Sequence, residues 1–348
     1  MPHLIRNVTV VDGDGDSDGL GAAPADVLLD GGLIVRIDPA GSVAASAGDT
    51  ELDGTGRLLM PGFVDAHSHA DARIFDPDVQ LALLRQGVTT IIGGQDGVSF
   101  APGDGSYASE YFAAINGPHP TYRGGGVAEL LAGYDGTTAL NAGTLVPAGT
   151  VRHEVMARST DAATSAELAA MISLVADGLA AGALGLSTGL DYVPGIFAET
   201  DELARLAEPV AAAGAVYVSH LRGGYEANSA AGIAEMQAIA LHSGVAVHIS
   251  HFHAEPGIVH GLLDGLAAAS VDATFDAYPY TRGCSILTMP ILPAPLSVQP
   301  VADVVEALTD PAEREVLFRY WFPSIADYPS LGAEWPSMLT LAHISAPA

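Results

Sequence analysis

From residue 61 onward, short apolar β-rich segments alternate with Ala/Leu-rich helical ones, and this alternation constrains the fold more than any other feature of the chain. The strand segments are "GFVDAH", "VTTIIGG", "TTALNAG", "GALGLST", "AVYVSH", "VAVHISH" and "VDATFDAYP"; helical stretches fall between them at 76–86, 164–181, 199–213, 227–243 and 257–269. Repeated strand-helix steps predict a parallel sheet with right-handed crossovers, an α/β fold. Seven steps approach a (β/α)8 TIM-like barrel. A doubly wound sheet would carry a Gly-rich phosphate loop after its first strand; this chain carries "DAHSHAD" there. Residues 1–60 differ in texture. They read as short strands, "LIRNVTVVDG", "ADVLLDGGLIVRID" and "TGRLLM", and set off a small β domain from a barrel over 61–348. The Asp-rich loop "DGDGDSDGLG" at 12–21 has the opening spacing of a calcium loop from Asp14, but its twelfth position is Ala25, so a solvated loop is expected.

In a barrel, the C-terminal strand ends converge on one mouth, where catalytic groups sit. His67 and His69 end the first predicted strand, two residues apart, so that an extended chain aims both rings the same way. Alone, His-x-His is also compatible with two surface histidines in a turn. Asp96 follows the second strand, His220 ends the fifth and His251 ends the sixth. Four histidines and a carboxylate at equivalent strand ends suit one or two zinc-like divalent ions. His248 has the opposite strand parity to His251 and reads as a packing residue. Arg222, two residues beyond His220, has the parity to look into the mouth and bind a carboxylate.

Composition narrows the chemistry. All thirteen basic residues are arginine, so the chain lacks a Walker lysine, a Schiff-base lysine and a lysine that can be carboxylated to bridge two metals. The net charge of −28 argues against nucleic-acid and membrane partners. No apolar run is long enough to span a bilayer. The single cysteine, Cys284, forms no internal disulfide, and neither a basic n-region nor an apolar h-region opens the sequence, so a cytoplasmic location is expected. Composition sets no oligomeric state.

The stretches "MPGFVDAHSHAD", "GVTTIIGGQDGVSFAP", "GALGLSTGLDYVPGIFAETDEL", "VYVSHLRGG", "ISHFHA" and "DAYPYTRG" resemble the amidohydrolase superfamily, and within it the N-acyl-D-amino-acid deacylases. By that resemblance residues 1–60 become a β-sandwich-type accessory domain. The implied activity is metal-dependent hydrolysis of the amide bond of N-acyl-D-amino acids, a linear amide, with zinc as cofactor and a small-molecule N-acyl amino acid as substrate. His67 and His69 would hold the more exposed metal, and His220 and His251 the second. Asp96 stands where the family often bridges the two with a cysteine. Tyr192, Tyr280, Arg282 and Ser285 lie on loops that match substrate-binding ones, where the tyrosines either contact substrate or pack over the rim. His253 replaces a lysine common in the family, and Cys284 falls among the expected pocket-lining positions. The missing lysine counts against the hydantoinase branch. Other amidohydrolases, acting on a cyclic amide or carbamate, are the alternative.

The resemblance also implies a proton-shuttling Asp in a Ser-Asp motif on an eighth strand. The one Ser-Asp here is Ser17-Asp18, far from any such strand. "SMLTLAHIS" near the terminus can pass for a strand but ends without an acid. The expectation is therefore a barrel incomplete at its C-terminus, with no catalytic acid in place and little turnover; an inactive metal-binding fragment is a further alternative. If a base lies within the chain, Asp191 and His253 are the first candidates.

Overall fold

The structure is a computed structural model that describes residues 2–11, 23–328 and 331–341. The chain divides into two compact units, Met1–Phe63 and Val64–Ala348. The calcium-like loop and Ser17-Asp18 lie outside the described residues, as do positions 342–348.

The first unit is built on one five-stranded sheet. Leu33–Pro39 pairs antiparallel with Ala25–Asp30, which pairs antiparallel with His3–Val10. His3–Val10 in turn takes Thr50–Asp53 and Leu58–Leu59 as parallel neighbours. Leu4, Val8, Ala25, Val27 and Val43 are its buried apolar residues among those described. The fully buried Asp26 ties its loops together. Its carboxylate accepts from Arg6 Nη1 at 3.0 Å and from the backbone N–H groups of Asn7 at 3.1 Å, Gly41 at 3.0 Å and Val43 at 3.4 Å. The Thr50–Asp53 strand was not expected from the sequence; its burial pattern is exposed throughout, which leaves no hydrophobic alternation to read.

The second unit is a parallel array of the TIM-barrel type. Phe63–Asp65, Val88–Gly93 and Asn141–Thr144 form one arc; Val146–Pro147, Gly185–Gly189, Val216–His220, Ala246–Ile249 and Ala273–Phe275 form the other. The arcs share residues 141–147 as a single strand. Its Leu145 N–H donates to Gly93 O at 3.1 Å, and its Thr144 O accepts from Leu184 N–H at 2.9 Å. Seven barrel strands thus run in sequence order among the described residues. The third lies later than the expected 137–143, because Thr137 is drawn into the end of the preceding helix, where its hydroxyl donates to Gly133 O at 2.7 Å. Parallel strands covered on both faces read as continuous apolar runs, and Gly185–Gly189 is buried at every position.

The crossover helices Pro77–Arg85, Ser165–Ala180, Thr200–Ala212 and Ser229–Ser243 fall within the expected stretches, and Pro256–Ala268 begins one residue before its own. Their inward residues, among them Val175, Leu206, Val210, Met236, Ile239 and Leu266, pack with Ile91, Val146, Leu186, Tyr217, Val247 and Ile249 of the strands in one core. Ser106–Tyr111, Val127–Tyr134 and Ala148–Met156 are helices that the sequence reading left as connections. Further along, Val301–Thr309 and Pro311–Val316 are two helices, split where Asp310 caps the second by accepting from Ala312 N–H at 2.8 Å. Trp335–Met338 is a short helix and 339–341 is not strand, so the described part of "SMLTLAHIS" supplies no eighth strand. No described helix is long and apolar enough to cross a membrane.

Candidate metal centre

Asp96 sits in a turn the sequence spells out. Gly94, Asp96 and Gly97 all adopt positive φ, at 74°, 53° and 70°. Glycine takes this conformation freely, and Asp is among the few side chains that tolerate it. The tight turn directs the carboxylate back into the barrel mouth, where it is 2% exposed. Neighbouring segments hold the turn. Gly94 N–H donates to Asp71 Oδ1 at 2.9 Å, Gly97 N–H donates to Ser187 Oγ at 3.1 Å, and Gln95 Nε2 donates to Ala66 O at 2.7 Å. The last bond fastens the turn to the segment that carries His67 and His69.

Four histidines close on this carboxylate. His69 Nε2 lies 3.2 Å from Asp96 Oδ2, while His67 Nε2 and His251 Nε2 lie 3.6 and 3.7 Å from Oδ1. His220 Nδ1 is 3.1 Å from His251 Nε2. Two sets of three potential ligands result, His67/His69/Asp96 and Asp96/His220/His251, each with its donor atoms within 4.8 Å of one another. His67 Nε2 and Asp96 Oδ1 are buried with no hydrogen-bond partner. Such orphaned polar atoms are costly unless something binds them, and imidazole with carboxylate is a suitable donor set for a divalent ion.

Two further acids frame the cluster. Asp276, just past the seventh strand, accepts at Oδ1 from His251 N–H (2.6 Å), and its Oδ2 faces His248 Nε2 at 2.9 Å and His67 Nδ1 at 3.3 Å. Asp191 accepts at Oδ1 from Gly223 N–H at 2.8 Å and presents Oδ2 to His220 Nε2 at 3.2 Å. Burial by itself would discourage charge on the His67 ring, but Asp96 and Asp276 outweigh it and raise His67 to about 10. Burial likewise opposes ionisation of Asp96, yet the surrounding histidines, His67 foremost, hold it well below the usual carboxylate range. His220 is raised against its burial by Asp191, whereas burial prevails at His251 and lowers it.

The expected site residues divide. His67, His69, Asp96, His220 and His251 meet in one cluster. Tyr192 packs edge-on against His220 at 5.1 Å between ring centroids, and its hydroxyl lies 3.2 Å from Ser285 Oγ. Arg222 does not serve the mouth as expected. Its Nε and Nη2 donate to Glu235 at 3.0 and 3.2 Å, and its Nη1 and Nη2 donate to the carbonyls of Ile196 and Ala198, both at 2.7 Å. The strand ends at His220, so alternation does not carry on to residue 222. His253 has Nδ1 2.8 Å from His251 O and Nε2 3.4 Å from Glu226, with its ring stacked on Tyr225. Tyr280 is exposed and stacks on Tyr278, Arg282 donates to Thr340 at 3.4 Å, and Cys284 is exposed.

His248 is not the packing residue that parity predicted. It bridges Asp276 and Thr274, the latter at 2.7 Å through Nδ1. The strand stops at Ile249, and His251 sits beyond it at φ 35°, so the two residues do not share one alternation. Asp276 and Tyr225, which packs on both His220 and His251, went unread as well. For Asp276 the signal was present: an acid directly after a barrel strand, the placement that identified the histidines.

A parallel barrel-type sheet with two histidine-carboxylate triads at its strand ends defines the class of α/β barrels with a candidate metal centre. The chain belongs to the amidohydrolase family, whose model matches residues 50–311. It is similar to D-aminoacylase of Alcaligenes xylosoxydans xylosoxydans, 32% identical over 296 residues that cover 76% of this chain and 59% of that protein. N-acyl-D-glutamate deacylase of the same organism is 32% identical over 291 residues, 80% of this chain and 58% of the relative. The solved structure of N-acyl-D-glutamate deacylase from Bordetella bronchiseptica, bound to zinc and a phosphonate mimic of the tetrahedral intermediate, superposes with a TM-score of 0.69. That match is 30% identical and covers 80% of this chain and 58% of the other. The chain therefore spans less than two thirds of the length of these relatives.

Proposed function

We propose that this chain carries the metal-binding barrel of an N-acyl-D-amino-acid deacylase, which hydrolyses the amide of an N-acyl-D-amino acid to a carboxylate and a free D-amino acid. The observation that carries the reading is the pair of triads sharing Asp96, with His67 Nε2 and Asp96 Oδ1 buried and unpartnered. One or two divalent ions held there, zinc by analogy with the deacylase from Bordetella bronchiseptica, would lower the pKa of water and polarise an acyl carbonyl. Asp96 stays ionised at neutral pH and is the common anionic ligand. Tyr192, edge-on to His220, pairs its hydroxyl with that of Ser285, and these two hydroxyls are suited to orient the acyl group or the substrate carboxylate.

Proton delivery to the leaving amine is assigned to an acid on a Ser-Asp strand that would close the barrel. Asp191 and His253, the internal candidates, are both engaged, one with His220 and Gly223, the other with His251 O and Glu226. That engagement favours one second reading, a metal-binding chain without turnover. We further propose that the sheet of residues 3–59 belongs to a sandwich-type accessory domain, that the substrate is a small molecule rather than nucleic acid or membrane, and that the protein is cytoplasmic.

Zinc-loaded protein incubated with N-acetyl-D- and N-acetyl-L-amino acids, with free amine as readout, tests the assignment. Selective release from the D series supports it. Turnover of a cyclic amide alone replaces it with the other amidohydrolase chemistry. Stoichiometric zinc with no turnover, persisting after an in-frame extension carrying Ser-Asp, leaves the inactive reading.

A further inference from the structure

We propose that Asp276 and Asp191 are positioning residues that divide the metal centre between them, each fixing the ring tautomer of one histidine on opposite sides of Asp96. Both belong to neither triad, and each points an oxygen at the ring nitrogen that faces away from the cluster. Asp276 Oδ2 lies 3.3 Å from His67 Nδ1, which leaves His67 Nε2, the buried unpartnered nitrogen beside Asp96, as the ligand atom. Asp191 Oδ2 lies 3.2 Å from His220 Nε2, which leaves Nδ1, 3.1 Å from His251 Nε2, as the ligand atom. The two rings are thus assigned opposite tautomers, His67 protonated at Nδ1 and His220 at Nε2. A ligating imidazole has one nitrogen free for the ion and donates with the other, so the acid at the outer nitrogen determines which one ligates.

Neither acid is free to turn away. Asp276 Oδ1 is held by His251 N–H at 2.6 Å, and its Oδ2 also faces His248 Nε2 at 2.9 Å, with His248 Nδ1 braced 2.7 Å from Thr274 Oγ1. Asp191 Oδ1 is held by Gly223 N–H at 2.8 Å. Each carboxylate therefore spends one oxygen on the backbone and the other on imidazole, Asp276 on two rings and Asp191 on one. Replacement by asparagine separates these two uses. The amide oxygen can keep the backbone bond, but an NH2 group then meets a ring nitrogen that must accept, and the proton is driven onto the nitrogen that should ligate.

The proposal rests on the metal reading of the site but not on its substrate. It is tested on the full chain loaded with zinc, using 15N-labelled histidine NMR to locate ring protons and metal analysis with a competing chelator to count and rank the ions. In the unsubstituted protein, His67 is expected with its proton on Nδ1 and His220 with its proton on Nε2; the reverse at either ring overturns the proposal without any variant. Asp276→Asn should weaken zinc held by His67 and His69 by roughly 10–100-fold and leave the His220/His251 ion in place, and Asp191→Asn should do the converse. Wild-type affinity for both ions in a folded Asp276→Asn protein, or parallel loss of both ions, overturns the division. A chain that takes up no zinc at all fails the metal reading itself, a different outcome from zinc bound with the other tautomers.

Discussion

Asp96 is the residue on which both triads depend. The carboxylate is shared, so its removal should affect both metal positions, whereas loss of one histidine should affect one. Asp96→Ala is expected to lose zinc from both, and Asp96→Cys to retain it, since a thiolate suits zinc at least as well. Zinc stoichiometry of the two purified variants is the check; full retention in the alanine variant would reduce Asp96 to a turn former. The residues that meet in the cluster share one rule legible in the sequence, a polar residue at the C-terminal end of a barrel strand. His248 and Arg222 were misread for a common reason: alternation holds only inside a strand, and each inference ran across a strand end, past Ile249 in one case and past His220 in the other. Arg222 also illustrates that a guanidinium near a mouth is available only if nothing nearer claims it, and Glu235 does.

At the scale of elements, close approach of backbones sets the position of the shared ligand. Gly189 ends its strand so near the Asp96 turn that an added Cβ would lie 2.1 Å from Asp96 O and 2.6 Å from Tyr192 Cδ2. Gly189→Ala must therefore push the turn away, and zinc affinity should fall although no ligand has been altered. Unchanged affinity would mean that the strand end yields instead of the turn. In the first unit the buried Asp26 has the corresponding organising role. Burial opposes its charge, but the Asn7 N–H, Arg6 and the Val43 and Gly41 N–H groups outweigh that and lower its pKa. A lowered folded pKa contributes stability that is present above the unfolded value, about 3.9, and is lost as pH falls through the folded one. Hydrogen-exchange protection factors of the His3–Val10 and Ala25–Asp30 strands, corrected for the intrinsic rate at each pH, should accordingly fall in acid. Asp26→Asn should destabilise this unit by about 2 kcal/mol at neutral pH and flatten its acid dependence. Strands of this unit were legible where hydrophobic residues alternate and illegible at Thr50–Asp53, which buries none.

At the scale of the whole molecule, the described barrel strands form two arcs joined at residues 141–147. Phe63–Asp65 and Ala273–Phe275 are the outermost strands of their arcs, each with one neighbour among the described residues. Both carry exposed apolar side chains, Val64 at 57% and Phe275 at 44%. An unpaired strand edge with apolar residues is a template for another chain, and closure of the barrel by a further strand would remove both edges at once. The chain as given should therefore self-associate in solution despite its net charge of −28, and more strongly at high salt, where screening weakens the repulsion between copies. Sedimentation velocity at two salt concentrations reads this directly. An in-frame extension that adds a Ser-Asp strand should restore a monomer or a discrete oligomer, and should raise deacylase turnover by about 10²–10⁴-fold if that acid supplies the proton. Association and turnover should change together, because one strand would both cover the edges and bring the acid. A 348-residue chain that sediments as a monomer at both salt concentrations, unfolds cooperatively and turns over N-acetyl-D-amino acids at full rate would show that the two edges are already satisfied, and would return Asp191 and His253 to consideration as the base.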